Sequence, residues 1–337
     1  MLESMDDEFD DPRSDFDRNV QRYARLPTPN QWTPLMSNAP FNEFNGPGGR
    51  FISLDSGRIA ECMGEWRAKR MIGIHISSMG AFKATDVNFL KDYPDVTSVF
   101  VSEGGAIDLR GLQFLQGLTN LGLTNYQKPV PLSEFKELKS FGGDWSPGLD
   151  LGVHCRSLES VTLWKYKGKD FTEFPLVPSL NTLELVQPTF VSLDGIKRHT
   201  HIQRLQFERC AKLTSIDAIA ELDGGKLESL VFSRCRKISD FGALGRLATI
   251  KKIVIEFCGS LDSLEFLTGC SQLETFGCFE TSVVSGDLSP LLRLPQLTFA
   301  GTGNKKHYSH KESDLNDALK RQSNSVRIAG LNRNMPD

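Results

Sequence analysis

Six histidines and seven cysteines are the residues best able to do chemistry in this 337-residue chain, and their spacing gives them little to do. His199 and His201 stand two apart and could hold a metal from a strand edge. No third ligand follows at metal-binding spacing, so a polar loop is the plainer reading. Lys305, Lys306, His307 and His310 could touch a phosphate, or form a solvated basic tail. Cys210, Cys235 and Cys258 recur at steps of 25 and 23 residues. A metal held along such a row is one reading, but zinc sites pair C-x-x-C with further Cys or His. A small buried thiol in an apolar position is the other.

The remaining motifs of catalysis are missing. Gly224-Gly225-Lys226 lacks the spacing of a phosphate loop, and Leu227 follows the lysine. Gly301 and Gly303 lack the third glycine of a dinucleotide fingerprint. There is no G-x-S-x-G elbow. No enzyme activity, cofactor or metal is expected.

The elements that would position a site are set by one recurring pattern: apolar, two variable, apolar, one variable, apolar. Its clearest copies are Ile202, Leu205, Phe207, Cys210, Leu213, Ile216 and Ile219, then Leu227, Leu230, Phe232, Cys235, Ile238, Phe241 and Leu244. The third is Ile250, Ile253, Ile255, Cys258, Leu261, Leu264 and Leu267. Weaker copies start at Val96, Leu118, Leu138, Leu158 and Leu180, at Leu273 and Leu294, and upstream at Met71. From Val96 onward the starts are 20 to 25 residues apart. The x-Leu-x-Leu-x core alternates with period two and reads as a short strand with one buried face. The later apolar residues fall every third position, which suits a 3₁₀ or irregular segment. No single copy can bury its apolar face, so the copies must stack.

This spacing resembles the leucine-rich-repeat family over residues 71–302, and residues 304–311 resemble a tail found in bacterial leucine-rich-repeat proteins. The fold class expected is an α/β repeat solenoid. It has a parallel β-sheet on a concave face and a mostly irregular or 3₁₀ convex side. Strands are expected near 97–102, 119–124, 139–143, 159–164, 181–186, 203–208, 228–233, 251–256, 274–279 and 295–300. Residues 1–50 read as an acidic, Pro/Gly-rich arm whose first 18 residues hold eight carboxylates against two arginines. Within it Trp32, Leu35, Met36, Phe41 and Phe44 could drape over the first coil. Residues 51–70 read as an N-terminal cap, and residues 303–337 as a C-terminal cap helix with a basic tail. Ser309 and Glu312 have capping-box spacing, and Leu315, Ala318 and Leu319 share one helix face.

A formal net charge of -3 argues against a broad nucleic-acid or membrane surface. The acidic start has no apolar stretch of the secretory kind, so reduced thiols and a cytoplasmic location are expected. What remains is the concave surface, where variable strand residues stack in columns. The candidates for partner binding are Trp145, Trp164, Lys165, Glu184, Arg204, Glu208, Arg209, Arg234, Lys252, Glu256 and Phe257. Aromatic and arginine side chains are what interfaces use as anchors. Either tryptophan could instead pack on a neighbouring coil. The mixture of charge signs argues against a phosphate backbone as partner.

The expected function is therefore a protein-binding scaffold. An immunity or antitoxin-like protein that caps a toxin is one concrete form, if the bacterial resemblance holds. A regulatory adaptor or substrate receptor, using the N-terminal arm as a second docking site, is an alternative. A groove enzyme is another, without a constellation to support it. The oligomeric state stays open.

Overall fold

Leu205 and Phe207 point inward from one strand and meet Leu230 and Phe232 of the next in register. The same two positions continue to Ile253 and Ile255. All six are at most 1% exposed, and the Phe207 and Phe232 rings stack at 5.3 Å. The computed structural model describes residues 33–34, 42–46 and 49–332. Calls on Trp32, Leu35, Met36 and Phe41 fall outside them.

A single 14-stranded sheet runs through the described chain in sequence order. It opens with β1 (Thr33–Pro34) and β2 (Glu43–Gly46), paired antiparallel with each other and with β3 (Gly49–Ser53). From β3 onward each strand pairs parallel with the next: β4 (Gly73–Ser77), β5 (Ser98–Ser102), β6 (Asn120–Leu123), β7 (Ser140–Asp144) and β8 (Ser160–Trp164). The row continues through β9 (Thr182–Val186), β10 (Arg204–Glu208), β11 (Ser229–Ser233), β12 (Lys252–Glu256), β13 (Thr275–Gly277) and β14 (Phe299–Gly301). Most returns carry a short 3₁₀ turn, such as Asp217–Leu222, Gly242–Arg246 and Glu265–Gly269. Their every-third apolar residues, Ile216, Ile219 and Leu222 for example, are buried. One continuous core results, because every coil finishes its neighbour's apolar face.

The last strand lies later than the spacing suggests. It is Phe299–Gly301, with Ala300 inward, and its coil starts at Leu297 rather than Leu294. Leu288, Leu291, Leu294 and Leu297 continue the every-third pattern without a break, and all four are buried. The phase of the strand is therefore hidden in the sequence.

Helix α1 (Ile59–Ala68) buries Cys62, Met63 and Trp66 against the first coils. Helix α2 (Glu312–Asn332) buries Leu315 and Leu319 at the other end. It does not begin with a capping box. The Ser309 hydroxyl instead accepts the Leu288 N–H at 2.9 Å, and Asn304 Oδ1 accepts the Glu312 N–H at 2.9 Å. The Glu312 carboxylate accepts the N–H of Thr302 at 2.8 Å, and that of Gly303. Ser309 and Glu312 thus tie the helix to the last coils rather than to each other.

Candidate protein-binding face

Alternation along each strand sends three residues away from the core, and the parallel register aligns them into columns. The first column runs Ser160, Thr182, Arg204, Ser229, Lys252. The middle one runs Thr162, Glu184, Gln206, Val231, Val254, and the last Trp164, Val186, Glu208, Ser233, Glu256. Directly after each strand comes a residue in the left-handed region: Lys165, Gln187, Arg209, Arg234 and Phe257, with φ of 60, 54, 53, 55 and 50°. The first four send their backbone N–H to the carbonyl that ends the next strand, as Arg209 does to Ser233 at 2.8 Å and Arg234 to Glu256 at 2.9 Å, and Phe257 sends its own to Phe279, just past β13. Those bonds hold a conformation that side chains otherwise avoid. They also set a rim of long side chains along one edge of the sheet face.

Several charges on this face are paired within it. Glu208 meets Arg209 Nε at 3.4 Å, and Asp144 meets Lys165 Nζ at 3.5 Å. The Ser233 hydroxyl donates to Glu256 at 2.7 Å. The Arg234 guanidinium lies 4.6 Å from the centre of the Phe257 ring, a cation–π contact. Glu184 accepts from the Thr162 hydroxyl at 3.1 Å and from Gln206 Nε2 at 3.2 Å. Burial pushes the Glu184 carboxyl up to about 7, and the Glu208 charge adds to the rise against the Thr162 hydrogen bond. Burial also lowers the Lys252 ammonium below its ordinary value.

The two tryptophans part company. Trp164 stands in the last column, but its indole leans back across Gly142 of the middle column and is only 9% exposed. Trp145 follows β7 and packs edge-on against Tyr166 at 4.9 Å, beside the core. The remaining candidates stand where the columns and rim place them.

A second aromatic group lies on the same face; Phe44 was expected to drape over the first coil, whereas His75 and Phe51 were not singled out. His75 and Phe100 are middle-column neighbours in β4 and β5, stacked at 5.3 Å. Phe44 meets His75 edge-on at 5.1 Å and stacks on Phe51 at 5.6 Å. Phe100 in turn lies over Gly122, where an added Cβ would meet its ring at 2.4 Å. In register Phe51 stands opposite Gly73 and Ser53 opposite His75, so Phe51 and His75 fall in different columns and no single spacing marks the group.

The row of cysteines closes the repeat. The Cys235 thiol donates to the Phe207 carbonyl at 3.5 Å, and the Cys258 thiol to the Phe232 carbonyl at 3.5 Å. Each thiol thus bonds the strand of the preceding coil. The thiol of Cys210 pushes the Cys235 thiol up from its ordinary value, and Cys235 does the same to Cys258. All seven cysteines are free. Strand, rim, thiol and 3₁₀ return recur coil after coil in one register.

This is a leucine-rich-repeat solenoid. No family model matches the chain, and no curated protein matches it in sequence. Among solved structures it is similar to internalin InlF from Listeria monocytogenes, at 16% identity and a TM-score of 0.49, over 69% of this chain and 67% of that one. It is also similar to TLR13, solved as a TLR13–ssRNA13 complex, at 13% identity and a TM-score of 0.41. That match covers 70% of this chain but 33% of TLR13. Internalin C2 from Listeria monocytogenes gives 17% identity and a TM-score of 0.35, over 66% of this chain and 88% of that one. Identities this low speak to fold alone, and the assignment rests on the chain's own repeat.

The strands of leucine-rich repeats line the inner side of a horseshoe, so the columns described above form the concave face. The histidines flagged in the sequence lie elsewhere. His199 is wholly buried, 5.7 Å from Phe171 and 5.5 Å from Phe174, and is a core residue rather than part of a polar loop. His201 Nε2 meets the Val177 carbonyl at 3.1 Å. His307 Nε2 meets the Val283 carbonyl at 3.0 Å, and the Tyr308 hydroxyl accepts the Val283 N–H at 3.0 Å, so the basic segment seals the last coils. Among the described residues no three His, Cys, Asp or Glu side chains converge as a metal site. No described helix is long and apolar enough to cross a membrane.

Proposed function

We propose that this solenoid is a protein-binding scaffold that takes its partner on the concave face, over the coils of β8 to β12. One observation carries the reading. Charged side chains of both signs, at Lys165, Arg204, Glu208, Arg209, Arg234, Lys252 and Glu256, stand in register beside Trp164 and Phe257. Folding needs none of these side chains on an outward sheet face. Recognition of another protein uses this mixture, with aromatic and arginine anchors and matched charge. A phosphate backbone would instead favour a face of one sign. A toxin held in the cytoplasm is one form the partner could take.

The test has two stages. A photoreactive residue replacing Arg209 on the rim, and another replacing Lys212 on the convex return, are used to capture partners in the source cell. The rim probe should trap one protein that the convex probe does not. Titration of that protein should then show weaker binding to Trp164→Ala and Arg204→Ala than to Ser98→Ala and Thr124→Ala. Equal capture by both probes, or equal affinity for all four variants, would contradict the reading.

A further inference from the structure

The concave face carries both signs of charge, but the flank beside it carries one. Past each strand the chain turns towards the convex return, and four consecutive coils make this turn in residues 165–169, 187–190, 209–212 and 234–237. Together these stretches hold eight lysines and arginines and no aspartate or glutamate. Three of the cations, Lys165, Arg209 and Arg234, form the rim, and Asp144 and Glu208 of the concave face pair with the first two. The other five, Lys167, Lys169, Lys212, Arg236 and Lys237, are exposed and make no ion pair among the described residues. Carboxylates border the strip on the convex side, where they cap turns. Asp170 accepts the Thr172 N–H at 2.8 Å, Glu173 the Lys169 N–H at 3.0 Å and Asp240 the Gly242 N–H at 2.7 Å. Asp194 and Asp217 accept the hydroxyls of Ser192 and Ser215 at 2.8 and 3.0 Å. Within the strip itself like charges adjoin. Arg209 and Arg234 hold the same place in adjacent coils, and so do Lys212 and Lys237. Like charges on backbones ~4.8 Å apart oppose folding, so the fold gains nothing from this row.

We propose that this flank, over the coils of β8 to β11, binds the phosphate backbone of a duplex nucleic acid without reading its bases. A strip of one sign is what a phosphate backbone selects. The net charge of -3 is no obstacle, because contact is with the strip and not with the whole surface. From β8 to β11 is three strand steps, or about 14 Å at ~4.8 Å each. One strand of a duplex carries a phosphate every ~3.4 Å of axis, so about four phosphates lie along the strip. Unpaired bases would find nothing to stack on. Tyr166 and Phe190, the rings within the strip, are 1% exposed, and Phe257 in the next coil is faced by the Arg234 guanidinium. A protein interface centres on rings and apolar area, and a membrane takes up several apolar side chains. The strip offers neither, and Val191 at its border is a single exposed side chain. Nothing here rests on the concave face as a protein-binding site, since the five cations beyond the rim stand outside it.

Fluorescence anisotropy of the full chain with a labelled DNA duplex of about 20 base pairs tests this at low salt. Wild type should bind, and the logarithm of its affinity should fall against that of salt concentration with a slope of about -3 to -4. Changing Lys167, Lys169, Lys212, Arg236 and Lys237 together to Gln should raise Kd at least about tenfold and flatten the slope by about two. Lys212→Gln/Lys237→Gln alone should do part of the same, and melting temperatures check that both variants fold. Removing equal charge from earlier coils, by changing Lys83, Lys91, Lys128, Lys136 and Lys139 together to Gln, should leave Kd within about threefold of wild type. Failure of wild type to bind the duplex at low salt would overturn the proposal. So would equal weakening by the two five-residue variants, which would make the attraction general. Binding to phosphatidylserine vesicles without binding to the duplex would place a membrane on the flank instead, and would also overturn it. None of the five residues is a concave-face anchor, so failure of either reading leaves the other standing.

Discussion

The indole of Trp164 lies flat enough across Gly142 that a Cβ added there would stand 3.6 Å from its Cη2. That is ordinary van der Waals contact, so the glycine is a seat for the ring and an alanine still fits beneath it. A larger side chain would not. Gly142→Ala should leave near-ultraviolet circular dichroism unchanged. Gly142→Leu should lift the indole into water, with a red shift in tryptophan emission and little loss of secondary structure. Identical spectra for the two variants would show that Trp164 does not rest on Gly142.

The buried rows make a second prediction. Leu230 lies between Leu205 and Ile253 and has no exposed surface. Leu230→Ala should cost about 2–5 kcal/mol, the range for large-to-small core changes. Chemical denaturation would measure it. A loss under about 1 kcal/mol would mean that neighbouring coils collapse into the space, against the close packing described.

Much of this was legible in the sequence. The pairing of Leu205 with Leu230 and Ile253 follows from one spacing, because a one-residue slip would turn every buried side chain outward. The columns followed from the same alternation; the left-handed rim did not, since alternation would turn Lys165, next to the outward Trp164, inward. The orientation of side chains on the open face did not. Trp164 leans onto a glycine of the preceding coil and Phe100 onto one of the next, and no periodicity encodes which neighbour lacks a Cβ. His199 was unreadable for a related reason: its position fits the every-third pattern only if an imidazole is accepted as core.

Stability should depend on pH in two opposed ways. Burial holds His199 down at about 4, with His201 and Arg198 adding to the fall, against an ordinary 6.5; burial holds His75 at about 4 as well. Between those values the unfolded chain binds more protons, so stability falls as pH drops from 6.5 towards 4. Glu184 does the reverse. Its carboxyl is raised to about 7 from 4.5, so the folded chain holds the proton and stability is lost as pH rises from 4.5 through 7. Thermal melts across this range should show a flatter acid limb for His199→Leu and a flatter neutral limb for Glu184→Gln. Unchanged slopes in both variants would contradict the burial of these groups.

The rim separates binding from folding. Arg209 holds a φ of 53°, where a β-branched side chain is strained and glycine is not. Arg209→Val should destabilise by about 1–2 kcal/mol, whereas Arg209→Gly should stay within about 1 kcal/mol of wild type. Urea unfolding distinguishes them. If valine and glycine were equal, the left-handed rim would be wrong at this position.

The concave face itself is tested most directly by calorimetric titration of the captured partner against Arg204→Ala and Trp164→Ala, with folding of each variant checked by melting temperature. Truncation of an anchor should cost over about 2 kcal/mol of binding, roughly a thirtyfold rise in Kd, while Ser98→Ala and Thr124→Ala bind as wild type does. Wild-type affinity in both anchor variants would contradict the assignment of this face as the binding site.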